Sequence, residues 1–172
     1  MKTLLIVWCL LGAAVLAFAG EKRELLAQNE TVAQFEGLEY HRCMGLTSLC
    51  PDRCGSSGNV GKFRIIKYLV YKKPGQYGDP KVPQFVVQVD DNLGNLKLPV
   101  QQAETIRTLK KGDFVRLNWR HDYVTNNGGA SPERPLTAIE KITAAEAKKL
   151  AGDTPLEAAP GKKTSAPAAV AF

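Results

Sequence analysis

Leu109-Lys-Lys-Gly-Asp-Phe-Val-Arg-Leu-Asn-Trp119 carries the clearest architectural signal in the chain. From Asp113 onward apolar and polar residues alternate. Val115, Leu117 and Trp119 fall on one side of an extended chain and Arg116, Asn118 and Arg120 on the other, the period of a half-buried strand over residues 113–124. Upstream, residues 101–111 are good helix formers with Ile106 and Leu109 three apart. They predict a short helix that stops at Gly112 and feeds this strand.

Outward from that unit the chain reads as strands and turns. Residues 38–43 alternate, and residues 62–73 form a long β-rich run with Phe63, Ile65, Ile66, Tyr68, Val70 and Tyr71. Lys73-Pro-Gly-Gln-Tyr-Gly-Asp-Pro80 is a turn. It leads into residues 83–90, where Phe85, Val87 and Val89 share a face. Asp91-Asn-Leu-Gly94 is another turn, and residues 96–100 read as a short strand with an edge-like proline. A loop at Asn126-Asn-Gly-Gly129 precedes a last strand over residues 135–142. Thr143-Ala-Ala-Glu146 is a capping box that opens a short C-terminal helix reaching Leu150.

Apart from the short piece at 96–100, this order puts a short helix between the third and fourth strands and resembles the OB-fold, a five-stranded Greek-key barrel. The likeness is carried by Leu109 to Trp119, since the pattern L-x-x-G-D-x-V-x-L enters the fourth strand of such barrels. It spans residues 38–142. It implies a mainly β class, with a barrel domain at 38–151 and a short C-terminal helix. A cysteine-bearing insertion at 43–61 departs from a minimal OB-fold. The resemblance also implies a binding face on strands two and three, with oligonucleotides, oligosaccharides or proteins as ligands. The cysteine segment is similar to that of small secreted bacterial proteins, which implies no activity.

The ends carry different information. Residues 1–19 read as a signal peptide: Lys2 is the positive start, residues 4–16 are almost wholly apolar, and Ala17-Phe18-Ala19 is an A-x-A cleavage site. The apolar run is short for a bilayer, which takes about 20 residues, and Glu21-Lys-Arg-Glu24 follows at once. No stable membrane anchor is therefore expected after cleavage. Cys9 lies mid-signal, so it is not a lipoprotein cysteine. The expected location is periplasmic or secreted, in a bacterium; Asn29-Glu-Thr31 is a glycosylation sequon only in a eukaryotic secretory pathway. Residues 20–37 read as a lead-in. Residues 152–172, rich in Ala, Pro, Lys, Ser and Thr without apolar periodicity, read as a disordered tail. The formal charge of +6 becomes +5 once Lys2 is removed. That suits a polyanionic partner and ordinary solubility equally.

His41-Arg-Cys-Met-Gly-Leu-Thr-Ser-Leu-Cys-Pro-Asp-Arg-Cys54 holds the three cysteines that remain after the signal. An odd number cannot be closed by internal disulfides in an oxidising compartment. Three readings follow. One disulfide can form with a thiol left over, its partners undetermined by sequence. Cys43, Cys50 and Cys54 with His41 or His121 can make a Cys₃His site for zinc, and soft sulfur also suits Cu(I). Cys50 and Cys54 can cycle as a redox pair, although the C-x-x-C spacing of such pairs is absent. With no metal, no cofactor is expected.

Arg64, Lys67, Tyr68 and Tyr71, with Arg116 and Arg120 on another strand, interleave charge and aromatic rings. Such a face can take a glycan, a polyanion or a protein; it can also be a solvated outer face whose lysines prevent edge pairing. Nucleic acid is not the expected partner of an exported protein. His121 continues the inward row of Val115, Leu117 and Trp119, which places it at the barrel mouth as a ligand, a base or a structural hydrogen-bonding group. No G-x-S-x-G, paired carboxylates or phosphate loop is present, so the expected role is binding rather than catalysis.

Overall fold

The computed structural model describes residues 21–45, 48–126 and 128–152. The expected signal peptide, and all but the first residue of the expected tail, lie outside them. The elements run β1 (Lys22–His41), β2 (Gly58–Lys72), β3 (Gln84–Gln88), α1 (Val100–Thr108), β4 (Phe114–Asn126), β5 (Gly129–Glu133), β6 (Leu136–Ile142) and α2 (Ala144–Ala151). The class is mainly β with two short helices. All strand pairs are antiparallel, in the order β3-β2-β1-β4-β5, and β6 pairs with the first half of β4. No helix among the described residues is long and apolar enough to cross a membrane.

The sheet curls into a half-barrel. Against β2, the central strand β1 slips register between Glu30 and Thr31, between Val32 and Ala33, and between Phe35 and Gly37. Each slip adds a residue on one side, which bends the strand and raises its twist. Opposite β4 the same strand slips once, between Leu25 and Ala27. A small barrel is consistent with this curl, but among the described residues no ladder joins β3 to β6, and the sheet stays open.

Two expected boundaries move. The first strand begins at Lys22, so the lead-in expected for residues 20–37 is the middle of the sheet. The extra residues that fall in β1 itself, Leu26 and Glu36, explain the difference, because each one breaks the period-2 alternation by which a strand is recognised. Residues 96–100 do not form a strand: Asp90 and Leu96 make a single isolated bridge, and the chain turns directly into α1.

One core holds these elements together. Phe35, Phe63, Phe85, Val87, Val115, Leu117, Trp119 and Leu136 come from five strands, with Phe85 stacked on Trp119 at 4.5 Å between ring centroids. Ala103 and Ile106 of α1 are fully buried against this face. Burying a side chain the size of Ile106 contributes roughly 1.5–3 kcal/mol, so α1 is fastened by few residues. The capping box stands as read: Thr143 Oγ1 accepts from the Glu146 amide at 3.2 Å, while Glu146 accepts from the Thr143 amide at 2.8 Å. At the other end of α2, Lys67 Nζ donates to the Ala151 carbonyl at 2.9 Å.

Candidate metal centre

The cysteine segment connects β1 to β2, leaving the sheet where His41 pairs with Gly58. A connection of this length without strands of its own needs anchors for its backbone polar groups. Ser57, fully buried, supplies them: its hydroxyl accepts from the Cys43 amide at 3.0 Å and donates to the Pro51 carbonyl at 2.7 Å. The Ser57 carbonyl in turn accepts from the Asn92 amide at 2.8 Å and from Gln88 Nε2 at 3.3 Å. Between these points the Arg53 amide donates to the Leu49 carbonyl at 2.8 Å, closing a tight turn across which Cys50 and Cys54 converge.

A second tie comes from the turn after β3. The buried Asp91 carboxylate accepts from the Leu93 and Asn95 amides at 2.9 and 2.8 Å and faces Lys97 Nζ at 3.0 Å. The Asn95 side chain and these partners hold the Asp91 carboxyl far below the usual carboxylate range. Asn92, held within that turn, also donates from its side chain to the Asp52 carbonyl. Gly45 completes the packing. Its φ of +84° suits glycine, and a Cβ there would sit 2.9 Å from Cys50 Cβ.

The result is convergence of the three thiols. Cys43 Sγ lies 3.6 Å from Cys50 Sγ, and the sulfurs of Cys43, Cys50 and Cys54 all fall within 4.8 Å of one another. No disulfide joins them, and all three residues are half-buried. Three donors around a thiolate-bound ion with bonds of about 2.3 Å would stand about 4 Å apart, whether trigonal or tetrahedral. The cluster is therefore close enough to hold a metal ion. The Cys54 sulfur also faces the Pro51 carbonyl at 3.6 Å and the Ser56 amide at 3.4 Å.

Crowding controls the protons. The Gly45 amide pulls the Cys43 thiol down, but the Cys50 thiol, burial and the Cys54 thiol outweigh it, and the net shift is upward. Two thiolates this close repel, so Cys43 keeps a proton that a bound ion would displace.

Neither histidine belongs to the sulfur group among the described residues. His41 is the last residue of β1. His121 is buried on β4, as its row predicted, where its Nδ1 accepts from the Asp79 amide at 3.1 Å. Burial lowers its pKa; Asp79 opposes that shift and Arg134 adds to it.

The six residues of the expected ligand face each have an intramolecular partner. Arg64 donates to Gln34, and Arg116 Nε to Glu30 at 2.7 Å. Arg120 pairs with Asp122 at 2.9 Å, and Lys67 holds α2. The Tyr68 hydroxyl donates to the Val82 carbonyl and the Tyr71 hydroxyl to the Asp79 carbonyl, both at 3.0 Å. Lys81 lies 5.3 and 5.2 Å from these two ring centroids, a cation–π arrangement.

Ser57 and Asp91 were not singled out by sequence reasoning. Only the turn signal at Asp91-Asn-Leu-Gly94 pointed toward the second. Comparison with protein-family models, with curated proteins and with solved structures returns no match.

Proposed function

We propose that this chain is an exported metal-binding protein in which Cys43, Cys50 and Cys54 hold one thiophilic ion, Zn(II) or Cu(I). The observation that carries the reading is the mutual approach of three sulfurs within 4.8 Å on a segment tied down by Ser57 and Asp91. Soft thiolates favour these ions, and a preformed cluster lowers the ordering cost of binding them. Export is inferred from the apolar run and A-x-A site at residues 1–19. On this reading the role of the chain toward the ion is to bind it. A glycan, polyanion or protein ligand on the face of Arg64, Lys67, Tyr68, Tyr71, Arg116 and Arg120 has less support, since neighbours already hold those side chains.

The test is intact mass under native and denaturing conditions, with and without thiol alkylation, on protein exported and processed by a bacterial host. The expected result is one metal adduct in the native spectrum and three alkylatable thiols after the ion is removed. Loss of about two mass units, with one alkylatable cysteine and no adduct, would overturn the reading in favour of a disulfide and a free thiol.

A further inference from the structure

We propose that the three-sulfur cluster is a Cu(I) exchange site, and that Met44 is the ligand through which the ion enters and leaves. This rests on the metal-binding reading and goes further, to the identity of the ion and its route.

The donor count separates the two ions. A structural zinc site is closed by four protein ligands, in tetrahedral geometry. Among the described residues the ligand group contains three sulfurs, with no histidine or carboxylate in it. Cu(I) is a soft, monovalent d¹⁰ ion that three thiolates satisfy in a trigonal plane, so the set that is one short for zinc is complete for copper.

Position points to exchange rather than storage. The cluster sits in a connection at the end of a strand pair, and its cysteines are half-buried rather than enclosed. Next to Cys43 is Met44, which is 91% exposed in a stretch with no regular structure. A long apolar side chain this exposed gains nothing from the fold. Its thioether is nevertheless a neutral, soft ligand for Cu(I) and a poor one for Zn(II). Leu49 and Leu93, 51% and 55% exposed, belong to the cysteine segment and to the turn that supports it, so the surroundings of the site are partly apolar.

Exchange would proceed one bond at a time. An arriving Cu(I) forms a bond to the Met44 sulfur as one bond to its carrier breaks. Cys43, Cys50 and Cys54 then replace the remaining carrier ligands and the thioether, each thiol releasing its proton as its Cu–S bond forms. Copper remains Cu(I) throughout, so no oxidant or reductant is consumed. Release is the reverse, the acceptor's sulfur replacing one thiolate at a time and each freed thiolate recovering a proton.

The experiment uses the full mature chain, anaerobic and reduced, loaded with Cu(I) and challenged first with excess Zn(II) and then with a colorimetric Cu(I) chelator. Wild type and Met44→Leu, which preserves size and apolarity at an exposed position, are compared. The expected result is one Cu(I) per chain retained against Zn(II). Met44→Leu should leave the equilibrium affinity nearly unchanged and slow transfer to the chelator about tenfold. Displacement of Cu(I) by Zn(II), or equal transfer rates for the two proteins, would overturn the inference while leaving the metal site intact. Retention of neither ion would overturn the metal-binding reading beneath it.

Discussion

The Asp79 backbone amide donates to His121 Nδ1 at 3.1 Å, while the Asp79 carboxylate takes the Arg134 guanidinium at 2.6 and 3.0 Å. One residue thereby fastens the connection between β2 and β3 to β4 and to the joint between β5 and β6. Tyr71 adds a fourth tie through the Asp79 carbonyl. Because Nδ1 accepts, a neutral His121 carries its proton on Nε2, which is buried without a hydrogen-bond partner. Protonation of Nδ1 would set two donors against each other.

Acid should therefore weaken the fold before the carboxylates titrate. His121 has a lowered folded-state pKa, caused first by burial, so below the ordinary value of about 6.5 the unfolded chain binds the extra proton more readily. Stability falls as pH drops through that value toward the folded pKa and is level above it. His121→Phe should cost about 1–3 kcal/mol at neutral pH by orphaning the Asp79 amide. It should also remove the acid sensitivity in the histidine range. Urea unfolding at about pH 7.5 and 5.5 checks this; the same pH dependence in both proteins would refute it.

Gly78 marks where the same connection touches the sheet. A Cβ there would stand 2.2 Å from the Leu26 carbonyl oxygen of β1, which is backbone and cannot move aside. Gly78→Ala should destabilise by about 1–3 kcal/mol. At Gly128 the nearest contact, Asn126 Oδ1 at 3.5 Å, is ordinary, and Gly128→Ala should stay within about 0.5 kcal/mol. Denaturant midpoints for the pair decide the matter.

Ile106 fastens α1 to the core of the half-barrel. It is fully buried with Ala103, while most of the rest of the helix is exposed or half-exposed. Ile106→Ala should cost about 2–5 kcal/mol, depending on how far the helix can settle into the space. A loss below about 1 kcal/mol, read from thermal or urea unfolding, would show that α1 contributes little to the core.

The parts of this fold legible in the sequence are those whose signals are local. The Thr143–Glu146 cap, the helix before Gly112 and the inward row of Val115, Leu117, Trp119 and His121 depend on neighbours within one element. The central strand was hidden because its own extra residues, Leu26 and Glu36, break the alternation. That omission concealed more. Glu30 and Gln34, the partners of Arg116 and Arg64, lie on this strand, so these pairings were not legible either. The cysteine spacing was legible, but its convergence was not. Ser57 and the Asp91 turn set it, through hydrogen bonds spanning up to 40 residues of chain.

Metal affinity should depend strongly on pH. The Cys43 thiol is pushed up by its sulfur neighbours, so binding at neutral pH should release about two to three protons per ion. Affinity should fall steadily on acidification. Calorimetry in buffers of different ionisation enthalpy measures the released protons; a value near zero would mean that sulfur is not the ligand.

X-ray absorption at the metal edge of the loaded protein tests the central claim most directly. Three sulfur scatterers at about 2.3 Å, falling to two in Cys54→Ser, are the result expected of a Cys43–Cys50–Cys54 site. A shell dominated by nitrogen or oxygen, unchanged in Cys54→Ser, would contradict it.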